Sequence, residues 1–73
     1  MEKKIKIGLI GLGTVGSGVY KVLQNIDNIE IVKIAVHNKK KKRNIEGLDE
    51  SIITDNAYEV VNDPEIQIVA ELI

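Results

Sequence analysis

The sequence has no cysteine, no tryptophan and no phenylalanine, and only one histidine and one proline in 73 residues. Without cysteine there are no disulfides and no thiolate metal sites, and His37 alone cannot form a histidine cluster, so no metal centre or thiol chemistry is expected in these residues. Tyr20 and Tyr58 are its only aromatics, which leaves a core built from Ile, Val and Leu. There is also no long hydrophobic run. The apolar stretch that starts at Ile5 is broken by Lys6 and by glycines before it reaches Leu12, too short and too interrupted for a secretory core or a membrane span. A cytoplasmic location is expected, with no membrane and no nucleic acid among the partners. A domain of this length buries only about 60% of the surface its unfolded form exposes, so its stability is expected to be marginal.

The net charge of -1 conceals a lopsided distribution. Residues 1–43 hold all ten basic residues, whereas residues 44–73 carry acids and no base. Half of the bases form one block, Lys39-Lys40-Lys41-Lys42-Arg43. Such a block either faces an anionic ligand or is a solvated loop.

Apolar periodicity divides the chain into alternating elements. Residues 5–10 are rich in β-formers and run into glycines, the pattern of a buried strand feeding a tight turn. From Thr14, residues Val15, Val19, Val22, Leu23 and Ile26 fall on one face of a helix, with Asn25, Asp27 and Asn28 supplying the stop. Residues 29–36 form a second, nearly continuous apolar run, as in a strand covered on both faces of a parallel sheet; Glu30 and Lys33 are placed near its ends or rims. Residues 44–50 have no clear period and are taken as a loop or a short irregular helix. Residues 51–54 predict a short strand, Asn56 and Glu59 a capping box, and residues 57–62 a short helix closed by Asp63-Pro64. Residues 66–73 return to an apolar strand. The order βαβ, loop, βαβ predicts an α/β fold, the N-terminal half of a doubly wound parallel sheet of the Rossmann dinucleotide-binding type, with the whole of 1–73 forming part of one domain.

Gly11-Leu12-Gly13-Thr14-Val15-Gly16 matches G-x-G-x-x-G between a predicted strand and a predicted helix, the setting in which the motif carries a mechanism. Gly11 permits the sharp turn. The bare backbone at Gly13 lets a pyrophosphate approach, and Gly16 allows helix and strand to pack closely. Thr14 and Val15 open the helix, whose unpaired N–H groups favour an anion. Gly8 and Gly18 lie outside the motif and are read as packing positions. NAD-preferring sites place an acid about 20 residues beyond the motif, against the adenosine ribose. Here that slot is Val36-His37-Asn38, with no carboxylate and the basic block directly after it. This favours NADP, or relaxed use of NAD and NADP, with His37, Asn38 and Arg43 as further cofactor-binding candidates. Glu71, inside an apolar strand, either reaches the strand's C-terminal end, where it could face a ligand, or has a partner outside this chain.

Residues 7–19, with their Gly-Thr-Val-Gly-Ser-Gly continuation, resemble the N-terminus of homoserine dehydrogenases, and residues 62–73 are similar to the strand that precedes a Gly-Gly turn in that family. The resemblance frames essentially the whole chain. It implies an oxidoreductase that interconverts L-homoserine and L-aspartate 4-semialdehyde with NAD(P), on the route to threonine, methionine and isoleucine, and that works as a homo-oligomer. Only the cofactor half carries over, at Gly11, Gly13, Thr14, Val15 and Gly16. The family's catalytic lysine and acids belong to a later substrate domain, so a chain of these residues alone is expected to be inactive. Many members have arginine at the end of the second strand, against the 2′-phosphate; His37 stands there instead, which leaves that contact to Arg43 or a lysine beside it. Two readings compete with this one: a nucleotide-binding or redox-sensing module without catalysis, and another two-domain NAD(P) dehydrogenase.

Overall fold

The computed structural model describes residues 3–43 and 45–73. Strand β1 (Ile5–Ile10) leads into helix α1 (Thr14–Leu23), which returns to β2 (Ile29–Ala35). A loop and a single 3-10 turn (Glu50–Ile52) precede the two-residue β3 (Ile53–Thr54). Helix α2 (Ala57–Val61) then leads to β4 (Ile68–Glu71). All pairings are parallel and the strand order is β3-β2-β1-β4. The α/β architecture expected from the sequence is therefore present, in the order of one half of a doubly wound sheet.

The helices lie on opposite faces. Ile7, Leu9 and Ile34 point to the α1 side, where Leu12, Tyr20, Val36 and Ile53 complete a buried apolar cluster that, beyond the aliphatic core expected, includes one aromatic ring. On the other side the fully buried Val60 of α2 sits over Gly8; a Cβ on that glycine would lie 2.6 Å from Val60 Cγ1, so only glycine lets α2 come this close. That agrees with the packing role expected for Gly8. Gly18 is different: it is exposed, and a side chain there would meet nothing within 4 Å.

The β1–β2 register steps by one residue. Ile7 pairs with Ile31 but Gly8 pairs with Lys33, which leaves Val32 as an extra residue, a bulge in β2. Lys33 is therefore in mid-strand rather than at an end or rim. It faces the α2 side, where its Nζ lies 3.3 Å from Asp63 Oδ2. Glu30, opposite Lys6, is exposed, as expected.

Several local expectations are corrected. The buried face of α1 is Gly16, Val19, Tyr20 and Leu23, while Val15 (64% exposed), Val22 and Ile26 face outward. The cause is Tyr20. Its ring is buried and its hydroxyl donates to Gly47 O at 3.2 Å, which rotates the helix so that Gly16 rather than Val15 lies against the sheet. The end of α1 is as read, with Asn25 Nδ2 donating to Lys21 O. Ser51 belongs to the 3-10 turn, where Asp49 Oδ1 accepts from its N–H and its hydroxyl. Asn56 caps α2 by accepting from Tyr58 N, but its own N–H donates to Thr54 Oγ1, so the reciprocal bond from Glu59 is not made. Strand β4 starts at Ile68, not at Ile66, because Asp63 prolongs the turn. Its carboxylate accepts from Glu65 N and its carbonyl from Ile66 N, and Ile66 then packs under Gly8. Within the irregular stretch residues 46–47 form a turn; residue 44 lies outside the described residues.

Candidate functional site: the crevice at the strand ends

The chain leaves β1 for β2 on one side and later crosses from β3 to β4 on the other. Between the C-terminal ends of β1 and β4 the winding reverses, and open sheets of this type bind ligands at such a point. Three backbone bonds of 2.8 Å tie the strand ends together: Gly11 N to Ala35 O, Val36 N to Thr54 O, and Leu72 N to Ile10 O. A crevice of about 830 Å³ opens above them.

The glycine turn forms its floor. Gly11 has φ +102°, a conformation that a side chain strains, and a Cβ there would lie 3.2 Å from both Leu72 and Ile73. A Cβ on Gly16 would lie 2.5 Å from Gly11 O, so the first turn of α1 can rest on the end of β1 only if that residue is glycine. Gly13 reverses the pattern: a Cβ there would meet no atom within 4 Å, although the residue lines the crevice. Gly13 is also the N-cap of α1. It provides no side-chain cap, and the first turn of the helix contains no acid. The leading N–H groups of α1 thus have neither an intrahelical nor a side-chain acceptor, and the helix dipole adds partial positive charge beside them. These features fit the pyrophosphate of a dinucleotide: an open, side-chain-free approach with unpaired donors at its end.

The candidate residues divide into two groups. Gly11, Gly13, His37, Asn38 and Arg43 all line the crevice. Thr14, Val15 and Gly16 do not; the first two are exposed on the helix and Gly16 is buried beneath the turn. Glu71 ends β4 opposite Ile10 and is exposed, and Leu72 and Ile73 form the wall beyond it. Glu71 thus reaches the strand's end but is not part of the lining. Asp55, after β3, and Lys41, within the basic block, are lining residues that the motif did not indicate. Asp55 was within reach of the same reasoning, since the residue after any parallel strand is a candidate for the ligand edge.

The fold and this crevice define the chain as part of a dinucleotide-binding α/β domain. The family described as the NAD-binding domain of homoserine dehydrogenase matches residues 11–72, and the chain belongs to it. Homoserine dehydrogenase from Bacillus subtilis (strain 168) is 38% identical over 97% of this chain and 18% of that protein. The enzyme of the same name from Methylobacillus glycogenes is 39% identical over 97% of the chain and 19% of that protein. Crystal structures of S. aureus homoserine dehydrogenase at pH 6.5 and pH 8.5 superpose with TM-scores of 0.80 and 0.81, covering 97% of this chain and 20% of theirs. The chain thus spans about a fifth of the length of the relatives it matches. The cofactor class read from the glycine turn, a nicotinamide dinucleotide, is the one that this family's description carries. Among the described residues no helix is long and apolar enough to cross a membrane.

Proposed function

We propose that this chain binds the adenosine and pyrophosphate portion of NAD(P) in an enzyme that interconverts L-homoserine and L-aspartate 4-semialdehyde in the cytoplasm. One observation carries the reading: the crevice at the reversal point is floored by Gly11 and Gly13 and closed by an uncapped, acid-free helix N-terminus. Gly11, Gly13 and the leading N–H groups from Thr14 to Gly16 hold the pyrophosphate, while His37, Asn38 and the basic loop meet the adenosine ribose. When bound, the cofactor supplies hydride transfer; this chain's part is to fix its position over the strand ends. No substrate-binding or proton-transferring residue is assigned here, so the 73-residue chain alone does not oxidise homoserine. The experiment is calorimetric titration of the chain with ADP-ribose, paired with an assay for reduced nicotinamide in the presence of homoserine. Binding without turnover is expected. Turnover, or no binding at all, overturns the reading.

The acid-free Val36-His37-Asn38 slot supports use of NADP at least as readily as NAD. Self-association is part of the same proposal. The outer edge of β4 has no strand partner among the described residues, Ile68 and Val69 are exposed beside it, and Ile73 is 95% exposed. An unpaired edge of that composition invites a second chain. Sedimentation over a dilution series is expected to show dimers or larger species, and a monodisperse monomer at high concentration would count against assembly through β4.

A further inference from the structure

Sterics fix the path of the β1–α1 turn at Gly11 and Gly16, and they leave one freedom between them. The peptide that joins Leu12 to Gly13 can face either way, because turning it over changes mainly Leu12 ψ and Gly13 φ, and glycine accepts φ of either sign. Nothing stands within 4 Å of where a Gly13 side chain would be, so no neighbour restrains that residue from there. Its φ is -80°, one of the two facings. A side chain from the first turns of α1 holds it. Ser17 Oγ donates to Leu12 O at 3.3 Å, while Ser17 N donates to Gly13 O at 2.8 Å. A serine inside a helix ordinarily bonds to the carbonyl one turn earlier. This hydroxyl reaches five residues back instead, past the N-cap and into the glycine turn.

A peptide group is planar, and in the trans form its C=O and N–H leave by opposite edges. Every peptide bond among the described residues is trans. With the Leu12 carbonyl drawn toward the half-buried Ser17, the Gly13 N–H is turned the other way, to the crevice that Gly13 lines and Ser17 does not. Among the described residues no backbone acceptor meets that N–H. We infer that Ser17 is a positioning residue for the cofactor, whose hydroxyl keeps the Leu12–Gly13 peptide facing so that Gly13 N–H donates to a pyrophosphate oxygen. This rests on the reading of the crevice as a dinucleotide site. Turned over, the same peptide would present the Leu12 carbonyl to the ligand, and its partial negative charge repels a phosphate where an N–H attracts one. One side-chain bond therefore sets the sign of this peptide's contribution. At 3.3 Å the bond is long for a hydroxyl donor, so its loss releases the peptide without unfolding the turn.

The test titrates the full chain with ADP-ribose, by calorimetry and by nitrogen–proton correlation spectra, in its unaltered form and as Ser17→Ala and Ser17→Thr. Ser17→Ala is expected to weaken ADP-ribose binding about fivefold, the net worth of one hydrogen bond. Its urea midpoint should stay in place, because the higher helix propensity of alanine offsets the lost bond. Ser17→Thr keeps a hydroxyl and should restore the affinity. The Gly13 amide reports the cause directly. Its proton should move downfield on saturation with ADP-ribose in the unaltered chain and in Ser17→Thr, and by much less in Ser17→Ala. A residue that merely props the helix would instead lower the midpoint and leave the bound Gly13 resonance where it was. That pattern overturns the inference, as does unchanged affinity in Ser17→Ala or an equal loss in Ser17→Ala and Ser17→Thr. A Gly13 amide that stays unmoved while the unaltered chain binds ADP-ribose overturns it as well. Failure of the unaltered chain to bind ADP-ribose at all would overturn the dinucleotide reading itself.

Discussion

The two rims of the crevice are built on opposite principles. The β1–α1 turn is defined by missing side chains: a positive φ at Gly11, a Cβ-sized space absent at Gly16 and one left open at Gly13. The loop after β2 is defined by side chains that bond to the backbone, with Asn38 and Arg43 shaping a segment that has no regular structure of its own. The first rim is fixed by sterics, which admit almost no alternative. The second is held by a few exposed hydrogen bonds, each worth about 1 kcal/mol. A ligand site made this way keeps the pyrophosphate position rigid and leaves ribose selectivity free to change.

Substitution in the first rim should separate folding from binding. The largest effect is expected at Gly16→Ala, where the new Cβ would be forced against the backbone oxygen of Gly11. Overpacking of this kind costs about 1–3 kcal/mol or more, against roughly 4–11 kcal/mol for an entire domain of this length. Urea denaturation would show it as a large fall in midpoint, and an unchanged midpoint would mean that helix and strand can part at no cost. Next is Gly13→Ala. Its Cβ meets nothing in the fold, so the midpoint should stay within about 0.5 kcal/mol of the parent while ADP-ribose affinity drops about tenfold or more. If stability fell and affinity held, the roles given to these two glycines would be reversed.

The second rim should respond in the contrary sense. Asn38→Ala removes the side-chain bond to Lys40 N from an exposed turn and should move the unfolding midpoint by no more than about 0.5 kcal/mol. Amide hydrogen exchange should nevertheless accelerate at Lys40 and Lys41 while the amides of β1 remain protected. Loss of protection throughout β1 would show the loop to be part of the core's cooperative unit.

The smallest effect concerns acid, and it arises away from both rims. The backbone N–H of Glu65, and after it the Lys33 ammonium, hold the Asp63 carboxyl below the ordinary carboxylate range. Its stabilising contribution is therefore complete above the unfolded carboxylate value of about 4 and is lost as pH falls through the lowered folded value. Asp63→Asn should make stability less steeply dependent on pH below about 4, as measured by urea midpoints along an acid series. An unchanged slope would place the acid sensitivity at another group, of which Asp49, lowered by its bonds to Ser51, is the alternative.

The contrast between the rims also explains what could be read in advance. Glycine positions, strand order and the reversal point follow from backbone sterics and from a period-two or period-3.6 pattern, which a sequence displays directly. The face of α1 was not legible, because pattern counting gave weight to Val15 and none to Gly16, while the deciding contact joins Tyr20 to Gly47, far along the chain. That Lys41, alone of four adjacent lysines, lines the crevice was equally hidden, since it depends on how Asn38 and Arg43 bond to the loop backbone. Asp55 could have been named by applying the strand-end rule to β3. Lys33 looked like a rim residue because a charge in mid-strand conflicts with a covered apolar run, and the extra residue that resolves the conflict leaves no mark in the composition.

That extra residue, Val32, is a length that the bulge absorbs, so that every later residue of β2 keeps its partner on β1. If the same residues paired without the bulge, the composition would be unchanged, but a one-residue slip exchanges the two faces for everything after it. Lys33 would then stand opposite Leu9 in the apolar cluster, and Ile34 opposite Ile10 on the side of Val60. The Ala35 carbonyl, which now holds Gly11 N, would turn toward the opposite neighbour. Deleting Val32, by contrast, would leave Gly8 opposite Lys33 and Leu9 opposite Ile34 in an unbroken ladder, so the strand can lose this one residue without moving the crevice, whereas an insertion that the bulge does not absorb would shift it.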